Sequence, residues 1–245
     1  MNLLEHCIVP EWPAPPGVKA LQTTRKGGVS ASPYDTLNLG EHVSDAPLAV
    51  ARNRMLLNTL LPSEPVWLEQ VHGTTVANAD AADCRVQADA CIARYRGSVC
   101  VVMTADCLPV LLCDKQGSVV GAAHAGWKGL AAGVIEATVQ AMNSAPQNMM
   151  AWLGPAISQD AFEVGEEVRA AFVTAHPQAV SAFAAGQSGK WLADIYALAR
   201  MRLNALGITQ IYGGNYCTYR ESDKFFSYRR DGVTGRMGTF IWLAE

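Results

Sequence analysis

A chain of 245 residues, half of them hydrophobic and 17% charged, is long enough to bury a sizeable core and has the composition of a globule, not of a disordered or fibrous protein. Its formal net charge of −3 and pI near 6.0 leave no electrostatic footprint for nucleic acid, and no apolar run approaches the length of a membrane span. The seven cysteines are odd in number, scattered and never spaced C-x-x-C, and the N-terminus lacks the basic-then-apolar pattern of a signal peptide; reduced thiols in a cytoplasmic protein are expected.

In chain order, Pro10 to Gly17 is a proline-rich extended entry and Val18 to Thr24 reads as a first strand. The loop RKGGVSASPYDTLNLGEH follows, with Gly-Gly and Ser-Pro-Tyr-Asp signals that argue against regular structure. A helix is predicted with Ser44 or Asp45 as its cap, Pro47 in its first turn and a stop at Pro62; Leu48, Arg52, Met55 and Leu56 sit at helical spacing. From Val66 short strands dominate: VWLEQV, TTVANA, ADACIA, VCVVMT, LPVLLC and SVVGAA. Several are continuous apolar runs, the pattern of strands buried on both faces.

A helix is predicted from Trp127 to Asn143, with Leu130, Val134, Thr138 and Ala141 on one face, and then a strand in MMAWLGP. The segment 161–206 reads as two or three helices, broken at His176-Pro177 and again at 186–189. ITQIYGG and TFIWL are late strands, joined by the polar, aromatic and basic connection YRESDKFFSYRRDGVTGRMG. No repeat or composition break divides the chain. The expectation is one α+β domain, 1–245, with mixed sheet.

Three residues stand out where apolar runs meet turns: His72 in EQVHG, Cys107 in TADC and His124 in AAHAGW. Two imidazoles and a thiolate are ligands that zinc accepts, and three protein ligands leave a fourth position open, as catalytic sites require. A metal so placed activates water near neutral pH. The spacing, 35 positions and then 17, matches no compact metal motif. On the residues alone Cys107 can equally be a small buried hydrophobe and the histidines strand caps. A metal-free cysteine hydrolase, with Cys107 as nucleophile and His124 as base, is also open, as is a non-enzymatic metal-binding module.

Anionic substrates would need cations, and Lys128, Arg25, Arg229 and Arg230 are the candidates. Gln70, two residues before His72 in an extended segment, points to the same side and is a further candidate contact. Asp106 points away from Cys107 on a regular strand, which argues against it as a base.

The segments TRKGGVSASPYDTLNLG, EQVHG, TADCLPVLL, AAHAGWKGL, WLGPAI and FFSYRRDGVTGRM together resemble the bacterial YfiH family, in order and over nearly the whole chain. That family is variously labelled laccase-domain protein, polyphenol oxidase, purine nucleoside phosphorylase and peptidoglycan editing factor. The resemblance implies an α+β sandwich with mixed β-sheets and flanking helices. It also implies one metal ion, zinc or copper, on His72, Cys107 and His124. The activities implied are phosphorolysis of adenosine, inosine and methylthioadenosine, and adenosine deamination. The enterobacterial members imply a further one, hydrolysis of UDP-MurNAc precursors carrying L-Ser. The partners would be small molecules, with no nucleic acid or membrane.

The laccase label, and with it a copper-dependent polyphenol oxidase, meets a limit in the residues. Four copper ions need more histidines than the five present, which include no H-x-H pair and leave His6, His42 and His176 isolated. A lone blue-copper site, with Met103 as axial ligand, remains open. PYDTLNLG and YRRDGVTGR are expected to close over the substrate.

Overall fold

The structure, a computed structural model, describes residues 3–81 and 86–245. Its strands are β1 (Cys7–Ile8), β2 (Val18–Thr23), β3 (Leu68–Glu69), β4 (Val76–Asn78), β5 (Val86–Gln87), β6 (Ala90–Ala93), β7 (Val99–Thr104) and β8 (Leu108–Asp114). They continue as β9 (Val120–Ala125), β10 (Met149–Leu153), β11 (Glu163–Val164), β12 (Phe183–Ala185), β13 (Trp191–Ala193), β14 (Gln210–Gly213) and β15 (Met237–Leu243). The helices are α1 (Pro47–Asn58), α2 (Trp127–Ala132), α3 (Val134–Met142), α4 (Glu166–Val173), α5 (Ile195–Leu206) and α6 (Tyr228–Asp231).

Two sheets form the centre. The larger, ordered β14-β10-β8-β9-β6-β4, is mixed: its outer pairs are parallel and its inner pairs antiparallel. The smaller, β1-β2-β15-β7, is antiparallel throughout. Cys100 and Val102 of β7, with Ile241 of β15, pack against Leu111, Val120 and Trp152 of the larger sheet. The alternate residues of β8, Leu108, Val110 and Leu112, face the other way and meet Ile135 and Val139 of α3 and Leu203 of α5. On the outside of the smaller sheet, Val99, Val101 and Met103 meet Leu37, Leu39 and Leu57. Every residue of β7, β8 and β9 is therefore buried, which is why these strands read as unbroken apolar runs. This is the expected α+β sandwich with mixed sheets and flanking helices.

Several local expectations are revised. The cap of α1 is Ala46, because Asp45 turns away to accept from Ser30 Oγ (2.6 Å) and Asn38 Nδ2 (3.0 Å). The stripe Leu48, Met55 and Leu56 faces solvent, Leu48 at 86% exposure, while Val50, Asn53 and Leu57 face the core. The helix after Trp127 breaks at Gly133, whose φ of +101° ends α2 and starts α3. WLA is a strand of a three-stranded sheet β11-β13-β12, and α5 begins only after Asp194 caps it. PYDTLNLG is no lid. Leu37 and Leu39 are fully buried, and Asn53 Nδ2 donates to Ser30 Oγ, Thr36 O and Asn38 O, fastening the loop to α1. The six described cysteines are all unpaired, as expected of reduced thiols; Cys84 lies outside the described residues.

Candidate metal centre

His72, Cys107 and His124 come from three places in the chain and converge. One ligand atom from each lies within 4.8 Å of the others, and Cys107 Sγ is 3.8 Å from His72 Nε2. The two imidazoles meet nearly edge to face, with centroids 4.8 Å apart. His124 lies within β9 and is buried; His72 sits in the turn after β3 and is exposed.

Asp89, in the segment just before β6, organises all of this. Its Oδ1 accepts from His72 N (2.9 Å) and lies 2.8 Å from His124 Nδ1; its Oδ2 accepts from Val71 N (3.1 Å) and Gly73 N (2.6 Å). His72 has a φ of +61°, uncommon for a residue with a Cβ, and the carboxylate's three backbone bonds hold that turn in place. The bond to Nδ1 orients His124 and leaves its Nε2 toward Cys107. Asp89 was not among the residues singled out from the sequence. The signal was there: an acid heading the apolar run ADACIA is costly to bury unless fully partnered.

Cys107 is held by its neighbour. Asp106 lies in the bend between β7 and β8 with a φ of +92°, not on the regular strand that was expected. Its carboxylate accepts from Thr218 Oγ1 (2.6 Å), Ser227 Oγ (3.0 Å) and Arg229 N (2.7 Å), tying the TADC turn to α6. Opposite the turn, the backbone of Gly126 passes so close that a Cβ there would lie 2.7 Å from His72 Cδ2 and 3.0 Å from Cys107 Sγ.

Electrostatically the group is an ion network. Burial raises the Cys107 thiol, but the His124 and His72 imidazoles outweigh burial and bring it down to about 6. Burial lowers His124, yet the Cys107 thiolate and the Asp89 carboxylate carry it up to about 9. Burial pushes Asp89 up, and the His124 bond with the Gly73 and Val71 amides holds it below the ordinary carboxylate range. A thiolate and two imidazole nitrogens are thus presented together. In tetrahedral zinc sites sulfur and nitrogen ligands lie about 3.6 Å apart, close to the 3.8 Å between Cys107 and His72. The residues fit a single metal ion.

A cleft of about 450 Å³ opens beside the three donors, lined by His42, Gln70, Thr104, Tyr228 and Arg236 among others. A second hollow of about 140 Å³ shares Cys107 and Tyr228 with it and is lined by Trp127, Ile157, Phe162 and Ile195.

The residues expected to touch substrate fare unevenly. Gln70 lines the cleft, but its amide is engaged at both ends, Nε2 donating to Met103 O (2.8 Å) and Oε1 accepting from Met103 N (2.7 Å). Lys128 is exposed, 5.6 Å from the Trp127 ring centroid, and does not line the cleft. Arg230 does not line it either, because its guanidinium donates to Thr218 O, Tyr219 O, Phe225 O and Asp231. Arg25 is bound to Asp35 and Ser222 O. Arg229 reaches the apolar hollow, with Nη1 donating to Glu163 O. Met103 packs into the core with Val101 and Phe240 and is also among the residues lining the cleft beside the three donors. The cation that does line the cleft is Arg236, which no spacing in the sequence marks. His42 lines it too, but burial and the Arg236 and Arg54 charges hold its imidazole below the ordinary range and favour the neutral form.

A family model described as multi-copper polyphenol oxidoreductase laccase matches residues 19–244. The purine nucleoside phosphorylase YfiH of Escherichia coli is 55% identical over 244 residues, 98% of this chain and 100% of its own length. A purine nucleoside phosphorylase of Pseudomonas aeruginosa is 52% identical over 239 residues, 97% of this chain and 98% of its own. Among solved structures, a Neisseria meningitidis protein superposes with a TM-score of 0.94 at 52% identity, over 98% of this chain and 100% of its own. YlmD from Geobacillus stearothermophilus superposes at 0.83 with 29% identity, over 94% of this chain and 93% of its own.

Proposed function

The chain belongs to the laccase-like YfiH family, and from that premise we propose that it is a purine nucleoside phosphorylase holding one zinc ion on His72, Cys107 and His124. The reaction joins a phosphate oxygen to C1′ of adenosine, inosine or methylthioadenosine. The glycosidic C–N bond breaks, its electron pair leaves with the base, and a proton is taken up there. When bound, a divalent ion on these donors supplies Lewis acidity at the edge of the cleft.

The observation that carries this reading is the charge of the cleft. Beside the three donors it is lined by Arg236, His42, Thr104 and Tyr228, and no carboxylate is among its lining residues. Asp89, bonded to His124, and Asp106, which lines the adjoining hollow, have their oxygens engaged by hydrogen bonds. Phosphate arrives already anionic and needs cations more than a base. Water, the attacker in adenosine deamination and in hydrolysis of L-Ser-bearing UDP-MurNAc precursors, needs a base to take its proton. Those two activities are the wider form of the proposal.

The test is chromatography of inosine, adenosine and methylthioadenosine incubated with and without phosphate. Free base together with pentose 1-phosphate, both dependent on phosphate, is expected. Base released equally without phosphate would sink the reading, while ammonia or free L-Ser would report the wider activities.

An oxidase with four coppers has no place here: among the described residues, His72, Cys107 and His124 are the one group of this kind able to hold a metal. A second reading has an observation of its own. Asp89, His124 and Cys107 form an acid–imidazole–thiol chain, the arrangement of a metal-free cysteine hydrolase. Its activity would survive chelation and be lost to iodoacetamide.

A further inference from the structure

The cleft is not uniform. On one side of Tyr228 and Cys107 it is polar and carries His42, Gln70, Thr104 and Arg236; on the other it is mainly apolar, with Trp127, Ile157, Phe162 and Ile195. The two charged residues lining that second side, Asp106 and Arg229, are engaged with Thr218, Ser227 and the Glu163 carbonyl. Arg236 is unlike the other arginines around the cleft. Its backbone N donates to Asn38 Oδ1 (2.8 Å), and its Nη1 donates to Thr234 O (3.1 Å) and Gly235 O (3.0 Å). Its stem lies against Gly40, where a Cβ would come within 2.8 Å of Arg236 Cγ. One edge of the fork is therefore fixed. The other edge, Nε and Nη2, makes no hydrogen bond among the described residues.

Arg25 and Arg230 each have a carboxylate; Arg236 has none within ion-pair distance among the described residues. The negative groups whose fields reach it most are Cys107, which belongs to the ligand set, and Asp106, whose carboxylate is engaged by Thr218, Ser227 and Arg229. A half-buried guanidinium with a fixed stem and an open edge is set up to take an oxyanion in two parallel bonds.

We propose that Arg236 is the phosphate-binding residue of the cleft, seating the anion in the polar half while the flat base lies in the apolar half between Trp127 and Phe162. This rests on the phosphorylase reading and names the subsite it lacks. It also assigns Tyr228, common to both halves, to the position over the pentose.

The test is calorimetry of inorganic phosphate binding to the metal-loaded protein, with KM measured separately for phosphate and for inosine. Arg236→Met should weaken phosphate about tenfold to a hundredfold, the effect of losing charge-assisted bonds, and leave the inosine KM within about threefold. Arg236→Lys should recover part of the loss. A Met variant with wild-type melting and phosphate affinity within about twofold of wild type would overturn the assignment, as would equal weakening of phosphate and inosine. Should Arg236→Met not fold, phenylglyoxal labelling of the wild type decides. Phosphate should protect Arg236 and leave exposed Arg220 reactive; no protection overturns the proposal. Phosphate held by Arg236 without any phosphorolysis would defeat the proposed function and leave this subsite standing, whereas phosphorolysis indifferent to Arg236 would do the reverse.

Discussion

Replacing Asp89 by Asn changes one charge and almost no volume, and it should damage both the fold and the metal centre. The carboxylate accepts from the Val71, His72 and Gly73 amides and meets His124 Nδ1 at 2.8 Å. An Asn side chain keeps one oxygen. If the amide nitrogen faces Val71 and Gly73, two backbone N–H groups meet a donor; if it faces His72 and His124, the turn loses an amide partner. In the second orientation the new NH2 group also donates to Nδ1, so His124 carries its proton on Nε2 and cannot ligate. Bonds to charged groups contribute about 1.5–3 kcal/mol each, so losing two predicts a destabilisation of about 3–6 kcal/mol, overlapping the range for breaking a buried charged pair. Metal affinity should fall about 10–100-fold. Urea unfolding of the metal-free protein reads the first quantity, and chelator competition on the folded variant reads the second. A variant within about 0.5 kcal/mol of wild type that keeps its metal affinity would refute the organising role of Asp89.

Other expectations follow from the same geometry. In the metal-free protein Cys107 should react with iodoacetamide with a midpoint near pH 6, set by its depressed pKa, while Cys7 and Cys113, both pushed up to about 12, stay inert; a midpoint above about 8, near that of a free thiol, would contradict this. The sign for stability follows. Between about pH 6.5 and 9 the folded thiolate–imidazolium pair and the unfolded thiol–imidazole pair each hold one proton. The pair therefore makes urea midpoints of the metal-free protein level across that window, with only a slight decline as pH falls from 6.5 through about 6, where the unfolded state binds the extra proton first. Gly126→Ala should leave circular dichroism unchanged but displace His72 and Cys107 and lose metal on dialysis; normal metal content would show that the close approach is unimportant. On α1, Leu48→Gln should change stability by less than about 0.5 kcal/mol and Leu57→Ala should cost about 2–5 kcal/mol; the reverse order in thermal melts would mean the helix is turned the other way.

Much of the framework was legible because burial on both faces writes itself plainly. β7, β8, β9 and β10 are continuous apolar runs, and no helix with those residues at that length was a better reading. The three candidate ligands were legible as residue types, and the expectation that they converge came from the resemblance, since positions 35 and 17 apart carry no local signal. What escaped has a common cause. Strand β13 and the break at Gly133 depend on tertiary packing that overrides an otherwise helical pattern. That Arg230 is occupied by backbone carbonyls and Asp231 while Arg236 lines the cleft is a tertiary outcome that spacing along the chain does not reveal. Leu48 and Met55 show the converse: apolar residues at helical spacing can sit on the outer face while a buried Asn53 holds the inner one.

The most direct test of the account is the metal content of untagged protein purified without added metal, measured by plasma mass spectrometry beside Cys107→Ser. The account predicts about one zinc per chain in the wild type and a near-complete loss in the variant. No metal in the wild type, or metal retained in full by the variant, would contradict the centre at His72, Cys107 and His124; with no metal, the acid–imidazole–thiol chain of Asp89, His124 and Cys107 becomes the better account of the site.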